Sequence, residues 1–278
     1  RRSDDVQRRI AVPTPPFWGT RVVKGIPVAD VAQWLDHRAT FLGRWGLKPT
    51  KDGPSYEELV ATEGIPRLRM WLDRITTERL ANFSAVYGYF PVHSEGNTLI
   101  VGDPEQPERE LTRFEFPRQR RDARLCLADF FRDTQETREL GPDVLAMQLV
   151  TMGSEVARGT QRLFEGNRYR EYLELHGLSV QLTEALAEHW HHRIREDLGF
   201  THEEGATDAA IRDQAYRGSR YSFGYPACPN MEDRRKLVSL LEPGRIGVEL
   251  SEELQLHPEQ STDAMVVHHP QAKYFSAT

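Results

Sequence analysis

Only two cysteines, Cys126 and Cys228, occur in 278 residues. So small a number makes neither a disulfide framework nor a cysteine-based metal motif, and a reducing compartment, the cytoplasm, is expected. No apolar run reaches 18 residues, so no membrane-spanning helix is expected. Positive charge is not in excess: 36 basic and 42 acidic side chains leave a net charge of −6. That balance argues against a general nucleic-acid surface. The basic run at 118–124 lacks interleaved aromatics and reads as a solvated turn. The Gly-x-Gly-x-x-Gly, Gly-Lys-Ser/Thr and His-Glu-x-x-His patterns are all absent, which removes the motif-based cases for dinucleotide, phosphate-loop and zinc chemistry. There is no internal repeat and no low-complexity linker, so residues 1–278 read as one domain. The first residues, Arg1-Arg2-Ser3-Asp4-Asp5, carry neither an initiator methionine nor a signal-peptide core. The expectation is a piece of a longer polypeptide.

What is present is ordinary globular material, 38% hydrophobic and 28% charged, in a mixed order of elements. Pro13, Pro15 and Pro16 make residues 1–25 an extended arm, with Phe17 and Trp18 as candidate anchors. Helical spacing runs over 28–45 and again over 55–81, where Pro66 predicts a break. Residues 85–92 and 98–101 read as a hairpin around Ser94-Glu95-Gly96-Asn97. The stretch 111–116 alternates, with Phe114 and Phe116 on one face and Glu115 on the other. A strand end or turn is expected at 124–131 and a buried strand at 144–152. A long helical region follows to about residue 198, with Asn167 and Gly177 as candidate breaks. Then come a helix at 205–216, a loop at 217–229 and a short helix at 231–241. Strands at 246–250, 264–268 and 273–275 complete the chain. Hairpins with long helices, rather than regular strand–helix alternation, predict an α+β fold.

The loop is chemically the most informative segment: Arg217-Gly218-Ser219-Arg220-Tyr221-Ser222-Phe223-Gly224-Tyr225-Pro226-Ala227-Cys228-Pro229. Arg220 can clamp a carboxylate with two charge-assisted hydrogen bonds. Gly224 permits a positive φ or close backbone approach. Tyr225 can stack on a flat ring. Ser222 offers backbone groups, and the prolines stiffen the loop. These residues fit equally well a rigid crossover whose arginine pairs with an internal acid. Cys228 has no base nearby in sequence and reads as a buried structural thiol. On the long helix, Glu184, Glu188 and His191 share one side at the margin of an apolar arc. Spacing alone makes Glu184 a solvated neighbour of the core, although it can also reach a cleft. His189 and His192 share a face but form no metal motif, and no metal site is expected. Tyr274, beside Lys273, either packs an edge strand or completes a pocket.

Several of these residues, in order, resemble a known family. Arg220-x-x-x-Gly224-Tyr225-Pro226-Ala227-Cys228-Pro229 resembles the S-adenosylmethionine-binding signature in the reactivation domain of cobalamin-dependent methionine synthases. Glu184-Ala185-Leu186-Ala187-Glu188 followed by His192-x-x-Arg195 resembles that family's acidic helix. Tyr89-Phe90-Pro91, Cys126-Leu127-Ala128-Asp129-Phe130 and His269-Pro270-x-x-Lys273-Tyr274 also match its pattern.

The resemblance implies a C-shaped α+β domain around a bent antiparallel sheet flanked by helices, with its ligand in a shallow groove. It implies S-adenosylmethionine as methyl donor, and reductive methylation of cob(II)alamin as the reaction that reactivates the enzyme. Arg220 would hold the donor's carboxylate, and Glu184 its ammonium and sulfonium end. Ser222 would act through its backbone, Gly224 and Tyr225 at the adenosine, and Tyr274 near the reacting methyl. Pro13 stands where the family carries an aspartate on the ligand's amino group, which removes that contact from the expectation. No Asp-x-His-x-x-Gly cobalamin motif occurs, so cobalamin would sit on a separate domain of the same polypeptide. Zinc would belong only to other parts of the full enzyme. A flavodoxin-like or diflavin reductase would supply the electron. A cytoplasmic monomer without nucleic-acid or membrane partners is expected, unable to make methionine alone. The alternatives are a stand-alone S-adenosylmethionine-sensing domain and a non-catalytic docking domain.

Overall fold

The computed structural model describes residues 2–203 and 215–277. Its strands in chain order are β1 (Gly19–Lys24), β2 (Ser84–Glu95), β3 (Thr98–Gly102), β4 (Glu110–Glu115), β5 (Asp143–Thr151), β6 (Ser219–Tyr221), β7 (Glu249–Leu250), β8 (Leu256–His257) and β9 (Ser261–Val267). Seven of them form one antiparallel sheet in the order β4-β3-β2-β5-β9-β6, with β1 added to β2; β7 and β8 pair separately. The long β2 organises this sheet. One of its edges carries β5 against Ser84–Val92. The other carries β1 against Ser84–Tyr89 and then β3 against Val92–Glu95. Pro91 falls in the gap between those two partners, where a missing N–H donor is tolerated. Gly88 meets β1 so closely that a Cβ would lie 2.3 Å from the Gly19 carbonyl oxygen.

The helices are α1 (Val28–Ala32), α2 (Tyr56–Leu59), α3 (Ile65–Thr77), α4 (Thr134–Leu140), α5 (Glu155–Glu165), α6 (Tyr169–Asp197) and α7 (Asp233–Leu241). Alternation of side chains along the strands divides the core into two layers. Ala85, Tyr87 and Tyr89 of β2 join Val144, Ala146 and Val150 of β5 beneath α3 and α6. Val86, Phe90, Leu145, Met147 and Leu149 face the opposite way, toward α7 and the segment 126–131. Each fully buried aliphatic or aromatic side chain contributes about 1.5–3 kcal/mol to such a layer. The fold is therefore α+β, an open antiparallel sheet flanked by helices. Among the described residues, no helix is long and apolar enough to cross a membrane.

The hairpin, the alternation at 111–116 and the buried strand at 144–152 match their sequence expectations closely. Phe114 and Phe116 are buried and stacked at 6.1 Å, with Glu115 exposed. Other expectations need correction. The helix predicted over 28–45 divides into α1 and a π-helical segment at Ala39–Arg44. Pro66 does not break its helix. Wide π turns at Val60–Gly64 join α2 to α3, and Pro66 occupies the first turn of α3, where its missing N–H is not needed. The long helical region breaks at Asn167, left-handed at φ 56°, but not at Gly177. Gly177 instead admits the π-helical segment, since a Cβ there would sit 2.9 Å from Arg44 Cβ. Phe17 anchors the arm edge-on against Tyr87 and Tyr89, whereas Trp18 is 42% exposed. The helix expected over 205–216 lies outside the described residues up to 214, and 215–216 are not helical.

Two corrections concern the site. Residues 217–229 are not all loop: Ser219–Tyr221 pairs with Val267–Met265 as β6. Gly218 makes that entry feasible, with φ 82° and no room for a Cβ, which would lie 2.4 Å from the Val267 carbonyl oxygen. Because β6 takes the edge of β9, the predicted last strand at 273–275 does not form. That tail is held instead by the Tyr221 hydroxyl donating to the Lys273 carbonyl at 2.7 Å and by Ala277 N–H donating to the Pro226 carbonyl at 3.2 Å.

Candidate functional site

The spacing Glu184, Ala187, Glu188, His191 puts four residues of α6 along one face, over the β5–β9–β6 side of the sheet. On that side Gln148 of β5 lies opposite Ala264 of β9, and Arg220 of β6 lies opposite Val266 of β9. Positions two apart on a strand share a face, so Gln148, Ala264 and Arg220 all look toward α6. Two hydrogen bonds tie helix to sheet. Gln148 Nε2 donates to the Ala187 carbonyl at 2.9 Å, and Arg220 Nη1 donates to Glu188 Oε2 at 2.6 Å. The small side chains of Ala187 and Ala264 leave an open groove between these ties. Its empty space, open solvent included, is about 710 Å³, so it is a surface groove and not an enclosed cavity.

Arg220 is the fixed cation of the groove, with its side chain 23% exposed. Burial disfavours its charge, but Glu188 beside it, with Tyr216 and Glu184 adding to the effect, more than compensates and raises its pKa. Glu188 also lies 3.9 Å from the fully buried Arg195, so one carboxylate stands between two guanidinium groups. Arg195 in turn covers the Tyr216 ring at 3.9 Å. His191, fully buried next to this cluster, has its pKa held well below the usual value by burial and then by Arg195 and Arg220. A neutral ring there adds no further positive charge. Glu188 engages Nη1 alone, and no group among the described residues bonds the Nε–Nη2 edge of Arg220, which suits a second, planar carboxylate.

Beyond β6 the chain closes a tight turn. Gly224 N–H donates to the Cys228 carbonyl at 3.0 Å, and Cys228 N–H donates to the Tyr225 carbonyl at 2.9 Å. Gly224 is left-handed at φ 91°, and a Cβ would come within 2.4 Å of Met231 Sδ. The Ser222 hydroxyl is engaged, donating to the Asp263 carbonyl at 2.6 Å. Cys228 Sγ donates to the Ser222 carbonyl at 3.0 Å, and burial pushes that thiol up to about 12, so it is a structural, protonated group. The turn lifts Tyr225 to the rim, 60% exposed, as is Tyr274.

Of the residues singled out from sequence, Glu184, Arg220, Ser222, Tyr225 and Tyr274 line this one groove. Gly224 shapes the turn behind it but is not on its wall, and neither is Pro13 of the arm. Tyr274 reaches it from an extended tail, not from a strand. His189 and His192 pack on the Trp34 ring at 6.0 and 4.9 Å. Sequence reasoning treated Glu188 as a bystander beside Glu184, whereas it holds Arg220. It also passed over Gln148, Thr262 and Asp263, which line the groove. Gln148 had a signal: it is the only amide or charged residue in the apolar run 144–152. Asp263 is buried and paired with Arg234 of α7 at 2.9 Å, which braces β9 from behind.

Fold and groove together define a class: an open-sheet α+β domain with an arginine-bearing surface groove. The chain belongs to the family described as vitamin B12 dependent methionine synthase, activation domain, whose model matches residues 27–278. It is 56% identical over 283 residues to a methionine synthase of Mycobacterium tuberculosis (strain ATCC 25618 / H37Rv), covering 98% of this chain and 24% of that protein. It is 55% identical over 278 residues to a methionine synthase of Mycobacterium leprae (strain TN), covering 96% of this chain and 23% of that protein. The chain thus spans about a quarter of the length of these relatives. In fold it is similar to a solved structure described as the MetH reactivation domain bound to AdoHcy. That likeness has a TM-score of 0.84 at 23% identity and covers 97% of this chain and 84% of the other.

Proposed function

We propose that the groove binds S-adenosylmethionine and presents its methyl group to cobalamin held by a separate domain of the same polypeptide, as the reactivation step of a methionine synthase. The observation that carries this reading is the free edge of Arg220, fixed by Glu188 in a groove that Glu184, Tyr225 and Tyr274 also line. Arg220 takes the ligand's carboxylate. Glu184 and the tyrosine faces favour its ammonium and sulfonium charges. Ser222 contributes backbone groups, and Gly224 with Tyr225 forms the turn beside the adenosine. Membership of the activation-domain family and the AdoHcy described with the fold neighbour support the same ligand.

Cobalamin, when docked, supplies the nucleophile for the methyl carbon. The sulfur keeps the electron pair of the broken S–CH₃ bond, and S-adenosylhomocysteine leaves. One electron per cob(II)alamin comes from a flavodoxin-like or diflavin reductase. The chain's own groups orient the donor and leave its methyl end open at the rim. The site works in the cytoplasm, and zinc belongs to other parts of the enzyme. The test is transfer of labelled methyl from S-adenosylmethionine to a cobalamin-bearing fragment. Label should reach the corrinoid only when this chain and an electron donor are both present. Saturable ligand binding without transfer would sink the catalytic reading and leave a sensing domain.

A further inference from the structure

Gln148 is a polar side chain in the middle of a buried strand, 1% exposed. Its amide nitrogen is used: Nε2 donates to the Ala187 carbonyl at 2.9 Å. The other end of the amide is not, because Oε1 is buried with no hydrogen-bond partner among the described residues. A buried acceptor left unpaired is costly, and such groups are ordinarily matched by water, an ion or a ligand. Gln148 lines the groove with Arg220, Glu184 and Tyr274. Its strand neighbour across β9 is Ala264, which lines the groove beside it. The amide cannot simply turn over, since that would aim Oε1 at the Ala187 carbonyl and set two acceptors against each other.

Resting on the reading of the groove as an S-adenosylmethionine site, we propose that Gln148 is a further ligand-binding residue, whose Oε1 accepts a hydrogen bond from an N–H or O–H group of the bound molecule. The Ala187 carbonyl fixes the amide's orientation, so the groove floor presents an acceptor and not a donor. The floor therefore selects ligands with a donor at that point. Pro13 provides no side-chain acceptor from the arm, and Gln148 supplies a neutral one from the sheet. The test is calorimetric titration of the chain and of Gln148→Met with S-adenosylmethionine. Methionine keeps the length and the packing but has neither the amide donor nor its oxygen. Gln148→Met should bind about tenfold more weakly, in line with the loss of a buried hydrogen bond. The melting temperature of unliganded Gln148→Met separates this role from a structural one. It should fall only modestly, because losing the bond to the Ala187 carbonyl is offset by removing the unpaired Oε1, while the upward shift on adding ligand shrinks. Equal affinity of Gln148→Met and the parent overturns the inference alone. A drop in unliganded melting temperature with no change in affinity overturns it too and makes the amide a helix-to-sheet strut. Absence of saturable binding by the parent overturns the ligand reading and this inference together.

Discussion

At the scale of single residues, the site depends on how charge is shared. Arg220 has one corner fixed by Glu188 and one edge open, so its two functions can be removed separately. Arg220→Ala should weaken S-adenosylmethionine binding at least tenfold, because a charge-assisted hydrogen bond contributes about 1.5–3 kcal/mol. Its melting temperature should change little, since Glu188 keeps Arg195. Unchanged affinity by calorimetry would show that the carboxylate is held elsewhere. Glu188→Gln should lower both affinity and melting temperature, because it removes the charge between two guanidinium groups. Glu184→Gln should lower affinity alone, since that side chain is exposed and forms no tie to the sheet. A loss of stability in Glu184→Gln, or none in Glu188→Gln, would reverse these roles. From sequence, Glu184 and Glu188 looked alike apart from their flanks. Which of them meets Arg220 depends on where β6 pairs with β9, and no helical spacing contains that information.

At the scale of elements, what was legible followed from periodicity. Alternation in β4 and the mostly apolar run of β5 specify strands locally, whatever the partner, and both form at the expected residues. The misread elements are those decided by a neighbour. Gly177 looks like a helix break in isolation, yet α6 runs through it because the missing side chain admits the π-helical segment. Gly177→Leu should therefore destabilise the fold by about 1–3 kcal/mol, the usual cost of overpacking, instead of stabilising the helix. A raised melting temperature would contradict the close contact with Arg44. Pro66→Ala should shift the melting temperature only slightly, because Pro66 sits where α3 needs no N–H. The last strand was misread for a related reason. Residues 273–275 have the composition of a strand, but β6 already occupies the edge of β9. The groove's chemistry was legible through Arg220, Tyr225 and Tyr274. Its floor was not, because Gln148 becomes visible only when α6 is laid over β5.

At the scale of the whole molecule, two layers of core and one polar seam make stability depend on pH. Burial lowers the pKa of His191 well below its usual value and brings His269 to about 4. In both cases the unfolded chain binds more protons than the folded one below pH 6.5, so this contribution is fully present above that pH and falls as pH drops. His191 alone should remove about 1.4 kcal/mol per pH unit in that window. Melting temperature should decline from pH 7 to pH 5, and His191→Gln should flatten the slope; an unaltered slope would place the protons elsewhere. The same cluster carries the functional claim, since His191 and Glu188 both meet Arg220 at the groove and Arg195 lies against Glu188. The most direct measurement of that claim is calorimetric titration of the chain with S-adenosylmethionine beside Arg220→Ala. One saturable site at sub-millimolar ligand, lost or weakened at least tenfold in the variant while its melting curve is kept, is the expected result. No saturable heat in the parent chain, or equal affinity in the two, would contradict it.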